Sequence, residues 1–377
     1  MKKIIYFEDV FGWAGIETFM TNVIQYIDSD KYKIEFVIID KRTNHYDELL
    51  EKNGVEVNVI LKKEVKDPVK RLMEGLKEFD KYLKNNYDGD AIHFNISNSI
   101  DMLYVYLAKK NGIKIRIAHS HNSFAKSHSR KVAHYLLKPF LCKMPSDYMA
   151  CSEKAAQLLF DKTIVNEKKY YMVRNAIDTK RYLYNTNVRN RVREENNIAD
   201  NIVFGHVGRF NLQKNHRFLI DIFEQIVQIE SKAVLILIGE GELRNEIEEY
   251  IEKKQLSNKI RFLGAISNVE DWLQAMDAMI LPSLYEGLPF VLVESQTASL
   301  PAIVSDTITN EVNISKYIHY ESLESGAETW AKRAIELLSI ERKCNIEVMS
   351  KSGFDINSMV NELCNIYDEI FKKYGDI

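Results

Sequence analysis

The stretch Leu281-Pro-Ser-Leu-Tyr-Glu286-Gly287-Leu288-Pro289-Phe290-Val291-Leu-Val-Glu294-Ser-Gln-Thr-Ala298 decides how the rest of the chain folds. The apolar run Ala278-Met-Ile-Leu-Pro282 predicts a strand, and the spacing of Phe290, Val293 and Ala298 predicts a helix that opens near Pro289. Strand, loop and helix N-terminus together suit a phosphate, because the first N–H groups of a helix lack internal partners and its dipole is positive there. Proline near the first turn costs no hydrogen bond. Glu286 then falls in the loop and Glu294 inside the helix. A phosphate would repel both carboxylates, so they are placed to accept hydrogen bonds from hydroxyls on either side of it. A sugar joined through a diphosphate to a ribose has that layout.

Working outward, 377 residues exceed what one core usually fills, so two domains are expected. A content of 28% charged and 46% hydrophobic residues describes an ordinary soluble globular protein. No apolar run approaches the ~20 residues of a membrane span. Met1-Lys-Lys-Ile-Ile-Tyr6 leads straight into a strand, not a signal peptide, which predicts a cytoplasmic protein. The four cysteines, Cys142, Cys151, Cys344 and Cys364, have no metal-ligand spacing and are expected as reduced thiols. Lys and Arg exceed Asp and Glu by 5 over residues 1–178 and fall short by 8 over the remainder, so the first half is better suited to an anionic partner. The overall charge of −3 argues against a dedicated nucleic-acid binder.

Glu286 and Glu294, in the setting SLYEGLPFVLVESQTASLPAIVSD, resemble the signature of the glycosyltransferase family 4 enzymes. The resemblance extends over residues 1–373 and implies the α/β GT-B fold, two Rossmann-like β/α/β domains facing a central cleft. Residues 1–180 would form the N-terminal, acceptor-side domain and 181–354 the nucleotide-sugar-binding domain, with a last helix in 355–377 packing back on the first. The implied reaction is a hexosyltransferase-type transfer from a UDP-sugar to an acceptor hydroxyl, with retained anomeric configuration and no metal or other cofactor. The EGLP-type signature beside Arg116-Ile-Ala-His-Ser-His-Asn-Ser123 is similar to enzymes of bacterial capsular and exopolysaccharide assembly. A lipid-linked or oligosaccharide acceptor is therefore expected.

In chain order, Lys3–Phe7 reads as a buried strand and Gly15–Ile27 as a helix. Between them Phe11-Gly-Trp-Ala-Gly15 resembles the family's Gly-Gly loop over the donor phosphates; its first glycine is Ala14 here, so only Gly15 carries over. Further strands are predicted at Ile34–Asp40, Val55–Leu61, Asp90–Phe94, Ile113–His119 and Asp147–Cys151, with helices at Pro68–Asn85 and Ser99–Lys110. Repeated βα units imply a parallel sheet whose ligands gather at the strands' carboxyl ends. There the family places a histidine against the donor sugar, and His119 matches it better than His121. Asp88-Gly-Asp90 is a D-x-D pair, but it precedes its strand and so reads as a turn, not a metal site. Residues 123–143 are basic and amphipathic. They could meet an anionic membrane at the inner face of the plasma membrane or pack into the protein.

Tyr170–Tyr182 resembles the family's interdomain segment, and the polar run Asn185–Asn201 suits a linker or a solvated helix. Ile202–Val207 then leads into Gly208-Arg209-Phe-Asn-Leu-Gln-Lys214-Asn. Arg offers a planar fork and Lys a point charge, and a departing diphosphate needs both. The family's G-R-x(4)-K-N pattern is matched at Gly208, Arg209 and Lys214. Ala233–Ile238 is a buried strand ending in Gly239. The loop Gly264–Ile266 falls where family members contact uracil through main-chain groups. Arg209, Lys214, Glu286 and His119 are the candidate catalytic residues. Gly15, Gly208, Gly239, Gly264, Ile266, Gly287–Val291 and Glu294 are the candidate donor-binding set. Ser299 stands where the family usually has glycine.

Two other readings fit parts of this pattern. A nucleotide-sugar epimerase of the same fold would need acid and base carboxylates near the anomeric carbon, which are not evident. A non-catalytic nucleotide-sugar-binding protein would have little use for the full Arg209, Lys214, Glu286 and Glu294 set.

Overall fold

In β1 (Lys2–Phe11) Ile4 and Tyr6 belong to one core cluster and Ile5 and Phe7 to another, and all four are fully buried. A strand apolar on both parities is covered on both faces, the mark of a central strand in a doubly wound parallel sheet. The computed structural model describes residues 1–12, 15–121, 128–286, 288–343 and 346–375, without the side chains of 128–133, 135, 346, 350 and 351. The chain forms two compact units, Met1–Ala176 with Ile356–Ile377, and Ile177–Asp355. The first change of unit thus falls a few residues before the position near 180 read from the sequence.

In the first unit β1 is joined by β2 (Tyr32–Lys41), β3 (Glu56–Val59), β4 (Ala91–Ile96), β5 (Ile115–Ser120), β6 (Asp147–Ala150) and β7 (Tyr171–Met172). The sheet order is β3-β2-β1-β4-β5-β6-β7, all parallel, and it reverses direction between β1 and β4. The C-terminal helix Ile356–Tyr374 buries Met359, Leu363, Ile366, Tyr367, Ile370 and Phe371 in the cluster that holds Ile4, Tyr6 and Phe36. Each such side chain contributes about 1.5–3 kcal/mol of burial, which fixes this helix to the unit formed by the start of the chain.

The second unit has β8 (Ile202–Val207), β9 (Ala233–Ile238), β10 (Ile260–Gly264), β11 (Ala278–Leu281), β12 (Ala302–Ser305) and β13 (Ile318–Glu321). Their order is β10-β9-β8-β11-β12-β13, again all parallel, with the reversal between β8 and β11. Such a reversal opens a crevice at the strands' carboxyl ends where ligands bind.

Two sequence readings are sharpened. Of the linker and the solvated helix read for the polar run after Asn185, the structure has the helix, Thr186–Glu195, with part of it anchored to its unit. Arg189 donates to the carbonyls of Gln274, Ala275 and Met276, and Arg193 to that of Ala275. Together with Arg342, which donates to the carbonyls of Leu273, Gln274 and Met276, these arginines satisfy the carbonyls ending the helix Val269–Ala275, so the charged composition serves capping. Asp88 and Asp90 lie at the amino end of β4, where Asp90 accepts from the backbone N of Lys3 at 2.7 Å and Asp88 pairs with the Lys3 ammonium at 2.6 Å. Among the described residues no helix is long and apolar enough to cross a membrane. Among the described residues Cys142 and Cys151 are buried and Cys364 half-buried, none of them in a disulfide, and Cys344 lies outside the described residues.

Candidate functional site

The β8–β11 reversal brings together the loops that carry the second unit's charged residues. Leu284 N donates to Gln213 O at 2.8 Å, tying the loop after β11 to the loop after β8. Across that tie Lys214 Nζ lies 2.7 Å from Glu286 Oε1, and Gln213 Nε2 donates to Glu286 Oε2 at 2.9 Å. Both side chains are largely shielded, at 14% and 7% exposure. The lysine is therefore held as a buffered cation: it can turn to an incoming phosphate while Gln213 keeps Glu286 paired. Arg209, by contrast, is 70% exposed and meets Glu242 at 3.1 Å.

Glycine spacing gives these loops room. Gly239 has φ +137, and a Cβ there would come within 2.1 Å of Gly208 O, so backbone packs directly on backbone. Gly208 N in turn donates to Ile238 O, and Gly239 N to Gly264 O, both at 2.9 Å, which aligns three predicted donor-side glycines in one row of strand ends. Ile266, Leu288 and Phe290 are partly buried against the unit's core, and Val291 is buried. The helix Phe290–Thr297 starts after Pro289 with no side chain capping it, which leaves its first N–H groups for an anion. Gly287 lies outside the described residues.

Glu294, one turn into that helix, accepts from Tyr182 Oη at 3.2 Å. Desolvation pushes its carboxyl up to about 7; the Tyr182 hydrogen bond works the other way. Sequence reasoning found neither Gln213 nor Tyr182 as partners of the two signature glutamates. Gln213 adjoins Lys214 and so was within reach of the motif, whereas the Tyr182–Glu294 pairing spans 112 residues and leaves no local trace.

In the first unit His119 lies in β5 and is fully buried. Its Nδ1 is 3.1 Å from His93 Nε2, its ring packs edge-on against Phe19 of the helix Gly15–Tyr26, and its Nε2 has no hydrogen-bond partner. His121 follows at the strand end, its Nε2 3.0 Å from Asn95 Oδ1. Desolvation drives all three rings toward the neutral form: His93 and His121 down to about 3, and His119 well below its ordinary value. Gly15 opens the helix after β1, and Trp13 and Ala14 of the glycine loop lie outside the described residues.

A group of acids that sequence reasoning missed gathers at the carboxyl end of β1. Arg71 forks onto Asp9 at 2.8 and 2.7 Å, while Glu17 accepts from Gly12 N at 2.5 Å. Buried Glu8 beside Glu17 is raised well above the carboxylate range, by desolvation first and Glu17 second; Asp101 is raised to about 7, by desolvation and then by Asp9. Of the segment 123–143, residues 123–127 lie outside the described residues. The helix His128–Leu141 follows, with Leu136 and Phe140 exposed at 68% and 72% and Leu137 and Leu141 packed inward.

Comparison with known proteins agrees with this geometry. The family model described as Glycosyltransferase Family 4 matches residues 13–181, and that described as Glycosyl transferases group 1 matches 188–347. The chain is 26% identical over 376 residues to EpsF of Bacillus subtilis (strain 168), which spans 97% of this chain and 96% of that protein. It is also 26% identical, over 331 residues, to the capsular polysaccharide biosynthesis glycosyltransferase CapH of Staphylococcus aureus, covering 85% and 86% of the two chains. The crystal structure of Anabaena HepE in complex with UDP-glucose superposes with a TM-score of 0.77 at 16% identity, over 98% of this chain and 100% of that one, a likeness of fold. With one family model on each unit and the GT-B architecture in both, the chain belongs to family 4 of the glycosyltransferases.

Proposed function

We propose that the protein moves a hexosyl unit from a UDP-sugar to an acceptor hydroxyl, with retention and without a metal, in the assembly of a bacterial capsular or extracellular polysaccharide. The observation that carries this reading is the Lys214–Glu286–Gln213 group beside the uncapped helix N-terminus at Phe290. Breaking the sugar–phosphate bond places negative charge on UDP. Lys214, Arg209 and the N–H groups of the helix then stabilise the departing diphosphate. Glu286 holds sugar hydroxyls, Glu294 holds the ribose, and Gly239, Gly264 and Ile266 offer backbone to the base. The acceptor oxygen attacks the anomeric carbon on the face UDP leaves, and a phosphate oxygen of UDP takes the acceptor's proton.

UDP as the nucleotide is supported by the UDP-glucose bound to HepE, and polysaccharide assembly by the name of CapH. Metal independence is supported by the use of Asp88 and Asp90 to hold Lys3 at the amino end of the sheet. Thermal stabilisation by UDP-, GDP-, ADP- and TDP-sugars tests the donor, since a ligand that binds only the folded state raises the melting midpoint with its affinity. A shift with UDP and one UDP-sugar alone is expected, and no shift with any nucleotide would sink the reading. EDTA should leave turnover unchanged.

The acceptor is taken to be a lipid-linked saccharide, met at the cytoplasmic face of the membrane. Exposed Leu136 and Phe140, four residues apart on one helix, support this peripheral contact. Replacing both with Glu should lower binding to anionic vesicles about tenfold; equal binding of the unmodified protein to neutral and anionic vesicles would oppose it.

A further inference from the structure

Buried in the first unit is a chain of four polar side chains drawn from three strands and the last helix. Tyr6 Oη lies 2.6 Å from Tyr367 Oη, Tyr367 Oη 2.7 Å from His93 Nδ1, and His93 Nε2 3.1 Å from His119 Nδ1. Tyr6, His93 and His119 stand on β1, β4 and β5, which pair through Tyr6↔His93 and through neighbouring rungs of β4 and β5. Tyr367 arrives from the C-terminal helix, and all four residues are fully buried.

Such a chain can point its protons in only two directions. In one, Tyr6 donates to Tyr367, Tyr367 to His93 Nδ1, and His93 Nε2–H to His119 Nδ1, which puts the His119 proton on Nε2. In the other every bond is reversed, and the Tyr6 hydroxyl proton is left without an acceptor. The only hydrogen-bond partner of Tyr6 Oη among the described residues is Tyr367, so the reversed chain buries an unsatisfied donor at a dead end of the core. The forward direction moves the open donor from that dead end to His119, near the carboxyl end of β5. Its single open donor is His119 Nε2–H, and the Val173 backbone nearby also favours a proton on that ring.

We propose that Tyr367 and His93 are positioning residues that fix His119 as the Nε2–H tautomer, so that it offers a hydrogen-bond donor to a hydroxyl oxygen of the donor sugar. This rests on the proposed function and on the place against the donor sugar that the family resemblance implies for His119, and it accounts for two further features. A buried imidazole nitrogen with no partner is accounted for if a ligand oxygen completes it. The last helix, whose Tyr367 lies 248 residues beyond His119 in sequence, is also tied to the site through a hydroxyl and not only through its apolar stripe.

The test measures kcat and KM for the UDP-sugar in the wild type, His119→Ala, Tyr367→Phe and the double variant, with melting midpoints to confirm folding. Tyr367→Phe keeps the ring and removes the bonds to His93 and to Tyr6. It should lower kcat/KM about tenfold in the wild-type background and less than about twofold in His119→Ala, the non-additivity expected when one residue acts through another. Tyr6→Phe should stay within about twofold of wild type, because Tyr367 still has a proton to give His93. Ring ¹⁵N shifts of His119, assigned by their loss in His119→Ala, read the tautomer without any turnover. Nε2–H in the wild type and a mixed signal in Tyr367→Phe are expected. An Nδ1–H ring, or equal losses from Tyr367→Phe in both backgrounds, overturns the proposal. If His119→Ala itself keeps full kcat/KM, the role of His119 falls with it; an impaired His119→Ala beside a normal Tyr367→Phe removes the relay alone.

Discussion

Two sheets share one strand order about their reversals, the first with one strand more, and differ in emphasis at their strand ends, although the first also pairs Arg71 with Asp9 and the second also buries His206 and His216. The second unit sets ions against ions: Lys214 with Glu286, Arg209 with Glu242. The first unit buries neutral rings, His93, His119 and His121, and crowds the acids Glu8, Glu17 and Asp101 where burial raises Glu8 and Asp101 toward the protonated state. A shielded ion pair is costly to break with nothing in its place, so Lys214 can trade Glu286 only for another anion, with Gln213 still donating to the carboxylate. A neutral hydrogen-bonded network cannot trade, but it holds direction, since each proton has one place to go. Under the proposed function, the second unit neutralises charge and the first orients hydroxyls.

Removing a charge from the ionic edge should have the largest effect. Lys214→Ala is expected to lower kcat about 100- to 1,000-fold, the range seen when one stabilising donor or cation is lost from a developing oxyanion. Glu286 keeps Gln213, so the fold should persist. Steady-state rates beside a melting curve decide it, and a wild-type rate would erase the contrast between the units.

The acidic cluster predicts the reverse response, a gain on losing charge. Glu8 Oε2 and Glu17 Oε2 are buried without partners, and the folded-state pKa of Glu8 lies well above its unfolded value near 4.5. A carboxyl raised on folding costs stability once pH exceeds the unfolded value, and the cost fades as pH falls back toward it. Glu8→Gln should therefore stabilise the protein by about 1–3 kcal/mol at pH 8 and by little near pH 4.5. Chemical denaturation at the two pH values measures this. A loss at pH 8 would mean that Glu8 is ionised and paired.

The ribose end of the second unit should show a pH dependence of intermediate size. In the proposed ribose role Glu294 accepts hydroxyls best when ionised, and burial pushes its carboxyl up to about 7. UDP affinity should rise about tenfold from pH 6 to pH 8 by this single ionisation. Calorimetric titration of Glu294→Gln should give weaker, pH-independent binding, and an unchanged slope would place the titrating group elsewhere.

How much of this could be read from sequence follows the range of each interaction. Glu286, Glu294, Gly208 and Lys214 sit in short motifs on strand ends, where spacing dictates placement, and the alternation of βα units dictated two parallel sheets. Partners brought in from afar could not be read. Tyr182 reaches Glu294, Tyr367 reaches His93, and Arg189 reaches Gln274, each joining segments that only tertiary packing brings together. The polar run after Asn185 is legible as a helix but not in its anchoring, because its arginines look solvated until the carbonyls they cap are known.

The signature's own departure from its family supplies the smallest and most local comparison. Ser299 has φ +53, a left-handed position where glycine is usual. Leu300 N donates to Ser295 O at 2.8 Å and Ser299 N to Gln296 O at 2.9 Å, the paired bonds that close a helix through such a residue. Serine is strained there, by about 1 kcal/mol, but its Oγ donates to Lys343 O at 2.5 Å. Ser299→Gly relieves the strain and loses that bond together with chain stiffness, so the net change should stay within about 1 kcal/mol. Ser299→Ala loses the bond and keeps the strain, and should be the less stable of the two by about 1 kcal/mol. Denaturation midpoints of the pair isolate the backbone strain. UDP-sugar affinity should be equal in both variants, because this end of the helix lies two turns from the N–H groups at Phe290; a fall in affinity would show that the helix transmits its C-terminal geometry to the diphosphate.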